Sequence, residues 1–159
     1  MSLERAKTHL SQYSADNRVI EFNVSSATVE LAAKALSCTA GMIAKTLSFN
    51  VNEKPILIVV AGDYKIDNSK FKQIFMTKPK MLSPDIVEEA IGHAIGGVCP
   101  FGVNEGVDIY LDKSLKEHEI IYPACGSSNS AIKLTIEELE QFSQSKGWID
   151  VTKQIETNI

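Results

Sequence analysis

The chemistry this chain could carry sits on a lysine, a glycine-rich loop and three cysteines. Lys45 lies within Ile43-Ala44-Lys45-Thr46-Leu47, a mostly apolar run. On a strand, such a lysine either points to solvent or turns its ammonium into a cleft. A cleft-facing ammonium pairs with phosphate or polarises a carbonyl. Residues 92–106 hold five of the nine glycines, around Gly96-Gly97-Val98-Cys99-Pro100-Phe101-Gly102. This run lacks the Gly-Lys-Ser/Thr ending of a P-loop and the context of a dinucleotide fingerprint. Gly96-Gly97 nonetheless permits close backbone approach, and Pro100 stiffens the turn. Tight turn and ligand cradle both fit.

Cys99 and Cys125 are candidate nucleophiles if a histidine meets them in space, and small apolar fillers otherwise. No paired base is identifiable, and Cys99 is not assigned as a nucleophile. His9, His93 and His118 pair neither with one another nor with a cysteine at ligand spacing. CxxC, HExxH and EF-hand patterns are absent from the sequence, so neither metal nor cofactor is expected. Residues 65–80 carry five lysines, Lys65, Lys70, Lys72, Lys78 and Lys80, against Asp67 alone. This is a solvated face or a phosphate-backbone contact surface. Phe71 and Phe75, at i and i+4, are expected to face the core rather than stack on bases.

The elements that must position these groups read as a mixed order. Helical spacing of Leu3, Ala6, Leu10 and Tyr13 predicts a helix over residues 2–14. Strands are expected at 18–22, 42–51, 56–61, 107–111, 119–122, 131–134 and 148–151. Ser25 or Ser26 is read as the cap of a second helix, with Glu30 in its first turn. A short helix follows Asp67 or Asn68. Ser83-Pro84-Asp85 reads as the start of another, running to about Ala90. A last helix spans about 135–142. The fold class expected is α/β, mixed and α+β-like, with a curved mixed central sheet surrounded by helices rather than a regular doubly wound one.

Composition sets the outer limits. The chain has 159 residues, 44% hydrophobic, with a net charge of −4. One domain over 1–159 is expected, with a core large enough to need no disulfide or structural metal. A generally basic nucleic-acid coat is excluded. The odd cysteine count fits a reducing compartment. The charged amphipathic N-terminus and the lack of an apolar run of roughly 18 residues point to a cytoplasmic chain without membrane partners.

Ala44-Lys45-Thr46-Leu47, then Gly92-His93 through Gly96-Gly97-Val98-Cys99-Pro100-Phe101-Gly102, come in a telling order. Leu111-Asp112-Lys113-Ser114-Leu115 and Gly126-Ser127-Ser128-Asn129-Ser130-Ala131-Ile132 follow. Together they resemble the YbaK/ProX family of aminoacyl-tRNA editing domains over about residues 2–151. The resemblance implies hydrolysis of the ester joining a wrong, small amino acid to a tRNA, such as Ala or Cys on tRNA(Pro). It places Lys45 on the family's functional lysine, followed by Thr46. Gly96 and Gly97 fall on the substrate loop, with Pro100 and Gly102 completing it. Gly126 and Ser128 fall on a second glycine loop beside the pocket, and Thr28 against the aminoacyl group. The expected partners are misacylated tRNA, contacted through Lys70 and Lys72, and a prolyl-tRNA synthetase. The alternative is a non-catalytic module that holds an aminoacyl-adenosine-like ligand or rides on a synthetase. Ser127-Ser128-Asn129 and Ala131 depart from branches with a His or polar residue and an Asp there, which leaves the amino acid removed open.

Overall fold

The computed structural model describes residues 2–156; the outermost positions of the expected domain, 1 and 157–159, lie outside them. Helix α1 (Ser2–Ser11) leads into β1 (Val19–Glu21) and α2 (Val29–Leu36). Strands β2 (Ile43–Val51), β3 (Lys54–Ala61) and β4 (Tyr64–Ile66) precede α3 (Asn68–Phe75) and α4 (Val87–Ile91). Then come β5 (Asp108–Asp112), β6 (Ile120–Pro123), β7 (Ser130–Ile132) and β8 (Leu134–Thr135). Helix α5 (Ile136–Ser143), β9 (Trp148–Ile149) and β10 (Thr152–Gln154) close the chain.

The main sheet has six strands in the order β8-β6-β2-β3-β5-β9 and curls into a half-barrel. β2 and β3 form an antiparallel hairpin, while β6, β5 and β9 add in parallel and β8 antiparallel. The expectation of a curved mixed sheet is borne out. β3 is the centre: Leu57, Val59 and Ala61 point to one face, Ile56, Ile58 and Val60 to the other. Burial on both faces explains why its sequence is an unbroken apolar run without alternation. One face packs against α1, α4 and α5 through Leu10, Ile91, Leu139 and Phe142. The other packs against α3, whose Phe71 ring lies 5.1 Å from Phe49 and 4.6 Å from Phe75.

Several local readings shift. α2 is capped by Thr28, whose hydroxyl accepts from Leu31 N at 3.2 Å, and not by Ser25 or Ser26. Ser25 instead accepts from Ala27 N, a local turn. Ser83-Pro84-Asp85 opens a turn, and regular helix begins only at Val87. The 131–134 strand divides into β7, which pairs with β1, and β8, which joins the main sheet. β4 and β10, a two-stranded ribbon over α3, had no sequence counterpart.

Candidate active site

β2 is paired with β6 only through Ile43↔Tyr122 and Ala44↔Pro123. Further along the same edge, Ser48 O accepts from Leu82 N at 3.1 Å and Asn50 N donates to Lys80 O at 2.8 Å. Between these contacts the edge opens. Alternation along the antiparallel hairpin sends the backbone groups of Thr46, like those of Ser48 and Asn50, to this open side. The Thr46 hydroxyl is buried there without a hydrogen-bond partner. Buried polar groups are ordinarily satisfied. Thr46 thus presents a hydroxyl and an unpaired peptide edge to whatever fills the opening.

The opening is a cavity of about 430 Å³. α2 contributes Val29 and Ala32, with Thr28 at its cap, and the segment before α4 contributes Met81 and Leu82. Ile95, Gly96 and Val98 form the loop wall, while Tyr122, Ala124 and Ser130 close the far side. Its walls are largely apolar. Among the described residues lining it, Lys45 carries the one formal charge, and none is a carboxylate or histidine. The Lys45 ammonium makes neither an ion pair nor a hydrogen bond with any described residue. Burial lowers its pKa, and the nearby charges of Asp63 and Glu30 offset part of that effect. An unpaired, partly desolvated cation in an apolar cleft is suited to an anionic or strongly polarised oxygen.

The other expected site residues divide by position. Lys45, Thr28, Thr46 and Gly96 line the cavity. Ser128 stands at its mouth: a Cβ on Gly96 would lie 3.4 Å from Ser128 Cβ. The Ser128 carbonyl accepts from Ser26 N at 2.7 Å, tying the second glycine loop to the segment that leads into α2. Gly97, Pro100, Gly102 and Gly126 lie behind the wall. A Cβ on Gly102 would meet Arg5 O at 2.5 Å, and one on Gly126 would collide with Ser2 O. Both glycines therefore let α1 press against the loops from outside. Val29, Ala32, Met81, Leu82 and Tyr122 were not foreseen; apolar residues far apart in sequence carry no signal that they share a wall.

Cys99 and His93 do meet: Cys99 Sγ lies 3.5 Å from His93 Nε2. Both side chains are fully buried, away from the cavity. His93 Nε2 donates to Phe101 O at 2.6 Å, so it has no lone pair for a thiol proton. Burial pushes the Cys99 thiol up to about 12. The pair is core packing. Likewise Asp112 is buried and accepts from Ser114 N, Val151 N and Thr152 Oγ1 at 2.9, 2.9 and 2.7 Å. It joins the turn after β5 to the C-terminal ribbon. Lys70 is engaged by Asp150 at 3.1 Å and Thr152 O at 2.8 Å, whereas Lys72 is exposed and without an ion pair among the described residues. No group of three His, Cys, Asp or Glu among the described residues is placed to hold a metal. No described helix is long and apolar enough to cross a membrane.

The fold and cleft define a small-ligand site lined by one cation and by one buried, unpaired hydroxyl at an opened sheet edge. The aminoacyl-tRNA editing domain model matches residues 24–142. The chain is a member of that family, and its class of activity is that of an aminoacyl-tRNA deacylase, hydrolysing an ester bond. It is 54% identical to the uncharacterized protein YwhH of Bacillus subtilis (strain 168), covering 98% of this chain and 100% of that one. It is 29% identical to a proline–tRNA ligase of Geobacillus sp. (strain WCH70) over 64% of this chain, but spans 18% of the ligase. A crystal structure described as a proposed trans-editing enzyme for prolyl-tRNA synthetase aligns with TM-score 0.86 and 27% identity. It covers 96% of this chain and 97% of that chain.

Proposed function

We propose that this protein acts in trans, in the cytoplasm, to remove a small amino acid such as Ala or Cys from mischarged tRNA(Pro). The observation that carries this reading is that the unpaired Lys45 ammonium and the unpaired Thr46 hydroxyl line one cleft of about 430 Å³. Ester hydrolysis needs an oriented carbonyl, charge stabilisation and a placed water. Lys45 supplies the charge, to the terminal phosphate or to the developing oxyanion. Thr46 and the Gly96 loop orient the aminoacyl ester, and apolar walls from α2 and Met81 restrict its size. With no carboxylate or imidazole among the described lining residues, the substrate's own 2′-hydroxyl or amine activates the water. The lysines at 70 and 72 are assigned to the tRNA backbone, and prolyl-tRNA synthetase is the partner whose product is corrected. The similarity to proline–tRNA ligase and to the trans-editing structure supports this substrate class.

The test is single-turnover deacylation of Ala-, Cys- and Ser-charged tRNA(Pro), with wild type and Lys45→Ala side by side. Rapid release of one amino acid, lost in the variant, is the expected result. Tight binding of an aminoacyl-adenosine analogue without release of any amino acid would instead identify a binding module. The missing side-chain base is the observation that favours that second reading.

A further inference from the structure

A second cavity, of about 440 Å³, lies beyond the turn that follows β5. Lys113, Lys116, Lys70 and Tyr64 border it, with Ser114 and Thr152. Lys113 and Lys116 are exposed and have no ion pair among the described residues. Lys116 Nζ rests 4.4 Å over the Trp148 ring, which holds it at the boundary with a neighbouring cavity that Trp148 and Glu140 line. The two carboxylates at the cavity are already occupied: Asp150 holds Lys70, and Glu117 accepts from the Tyr64 hydroxyl. The Tyr64 hydroxyl is neutral, so Glu117 keeps its charge, and three lysines against two carboxylates leave the cavity one net positive charge.

A separate observation concerns the neighbouring ribbon. In its register Lys65 stands directly opposite Lys153, and both are exposed. Like charges directly opposed weaken a strand pair. A ribbon built this way gains from an external anion along its outer side.

The position of the cavity identifies the anion. Lys45 pairs across the hairpin with Val60. The register that sets Val59 opposite Leu111 carries Asp112 to the rung of Val60. Lys45 and the start of the 113–117 turn thus share one row of the sheet, two strand spacings or roughly 10 Å apart. A few nucleotides of single-stranded RNA span that distance.

We propose that this lysine cavity holds backbone phosphates of the tRNA acceptor end whose aminoacyl terminus enters the β2 cleft. The proposal rests on the editing reading above and adds Lys113 and Lys116, distant in sequence, to the 65–80 lysines. Lys70, held by Asp150 and Thr152 O, stays on the tRNA face with Lys72, and Lys113 and Lys116 add their contacts to it.

The experiment is equilibrium binding of uncharged tRNA(Pro) between about 50 and 200 mM salt, where phosphate contacts dominate the slope. The proteins compared are wild type, Lys113→Glu with Lys116→Gln, Lys113→Gln alone, and the charge control Lys133→Glu. The double variant should bind about tenfold more weakly, with a log–log salt slope shallower by about 1.4, two single-strand contacts at about 0.7 each. Lys113→Gln, a mild change at an exposed position, should give half that slope change, and Lys133→Glu little. A double variant with the wild-type slope, a control that loses as much as the double variant, or a wild type that does not bind tRNA would each overturn the proposal. Because binding is read on uncharged tRNA, failure of wild type to release any amino acid counts against the editing reading and leaves this result distinct.

Discussion

Gly97 lies flat against the backbone of Ser127: a Cβ built on Gly97 would come within 2.5 Å of Ser127 N and 2.6 Å of Gly126 C. Two loops nearly thirty residues apart are thereby pressed together, and one of them forms the cavity wall at Gly96. The clash would be with backbone, which cannot swing aside as a flexible side chain would. Gly97→Ala should destabilise by about 1–3 kcal/mol, the usual range for overpacking. Gly96→Ala has room for its methyl, 3.4 Å from Ser128 Cβ, but holds φ at +90°, and should cost about 1–2 kcal/mol through backbone strain. Urea unfolding midpoints rank the two. Equal midpoints for wild type and Gly97→Ala would show that the loops are not in contact.

Lys45 should lower stability while enabling the reaction. Burial lowers its pKa, so near pH 10 the unfolded chain holds this proton more tightly than the folded protein. Stability must then rise with pH between the lowered value and the unfolded value of 10.5. Lys45→Met keeps the aliphatic stem and removes the charge. It should raise the thermal midpoint at neutral pH and flatten the pH–stability curve below 10.5. Ester hydrolysis should fall by about 10²–10³, the cost of losing one electrostatic contact to a developing oxyanion. Thermal melts across the alkaline range and single-turnover rates check both halves. A lower midpoint in the variant would mean that the ammonium is well solvated, and an unchanged rate would remove Lys45 from the chemistry.

Cys99 offers a clean separation of packing from catalysis. Its thiol is fully buried, pushed up to about 12, and faces a histidine nitrogen that already donates elsewhere. Cys99→Ala should retain the wild-type deacylation rate and cost about 1 kcal/mol for the emptied volume. In native protein, alkylation should reach Cys38, the one partly exposed cysteine, before Cys99 or Cys125. Rapid native labelling of Cys99 would contradict its burial.

Local order was legible along much of the chain. The apolar run of β3 and the cap of α3 rest on interactions between near neighbours: the strand holds the expected 56–61 and starts two residues earlier, at Lys54, and of the two candidates Asp67 and Asn68 the cap is Asp67. Residue type and order also carried the family, through Ala44-Lys45-Thr46-Leu47 followed by the run from Gly96 to Gly102. Thr28 shows where that legibility stops: it caps α2 in place of Ser25 or Ser26, since Ser26 N is drawn instead to the carbonyl of Ser128, 102 residues away. The opening beside Thr46 depends on β6 leaving β2 after Ala44 and on Leu82 rejoining it at Ser48. The convergence of Lys70 with Lys113 and Lys116 depends on Asp112 binding Val151 and Thr152. Sequence by itself determined which groups the chain could bring to an ester and a phosphate. Tertiary structure alone decided which of them remain unpaired and face a common space, because strand pairing and buried hydrogen bonds join residues whose separation along the chain leaves no periodic trace.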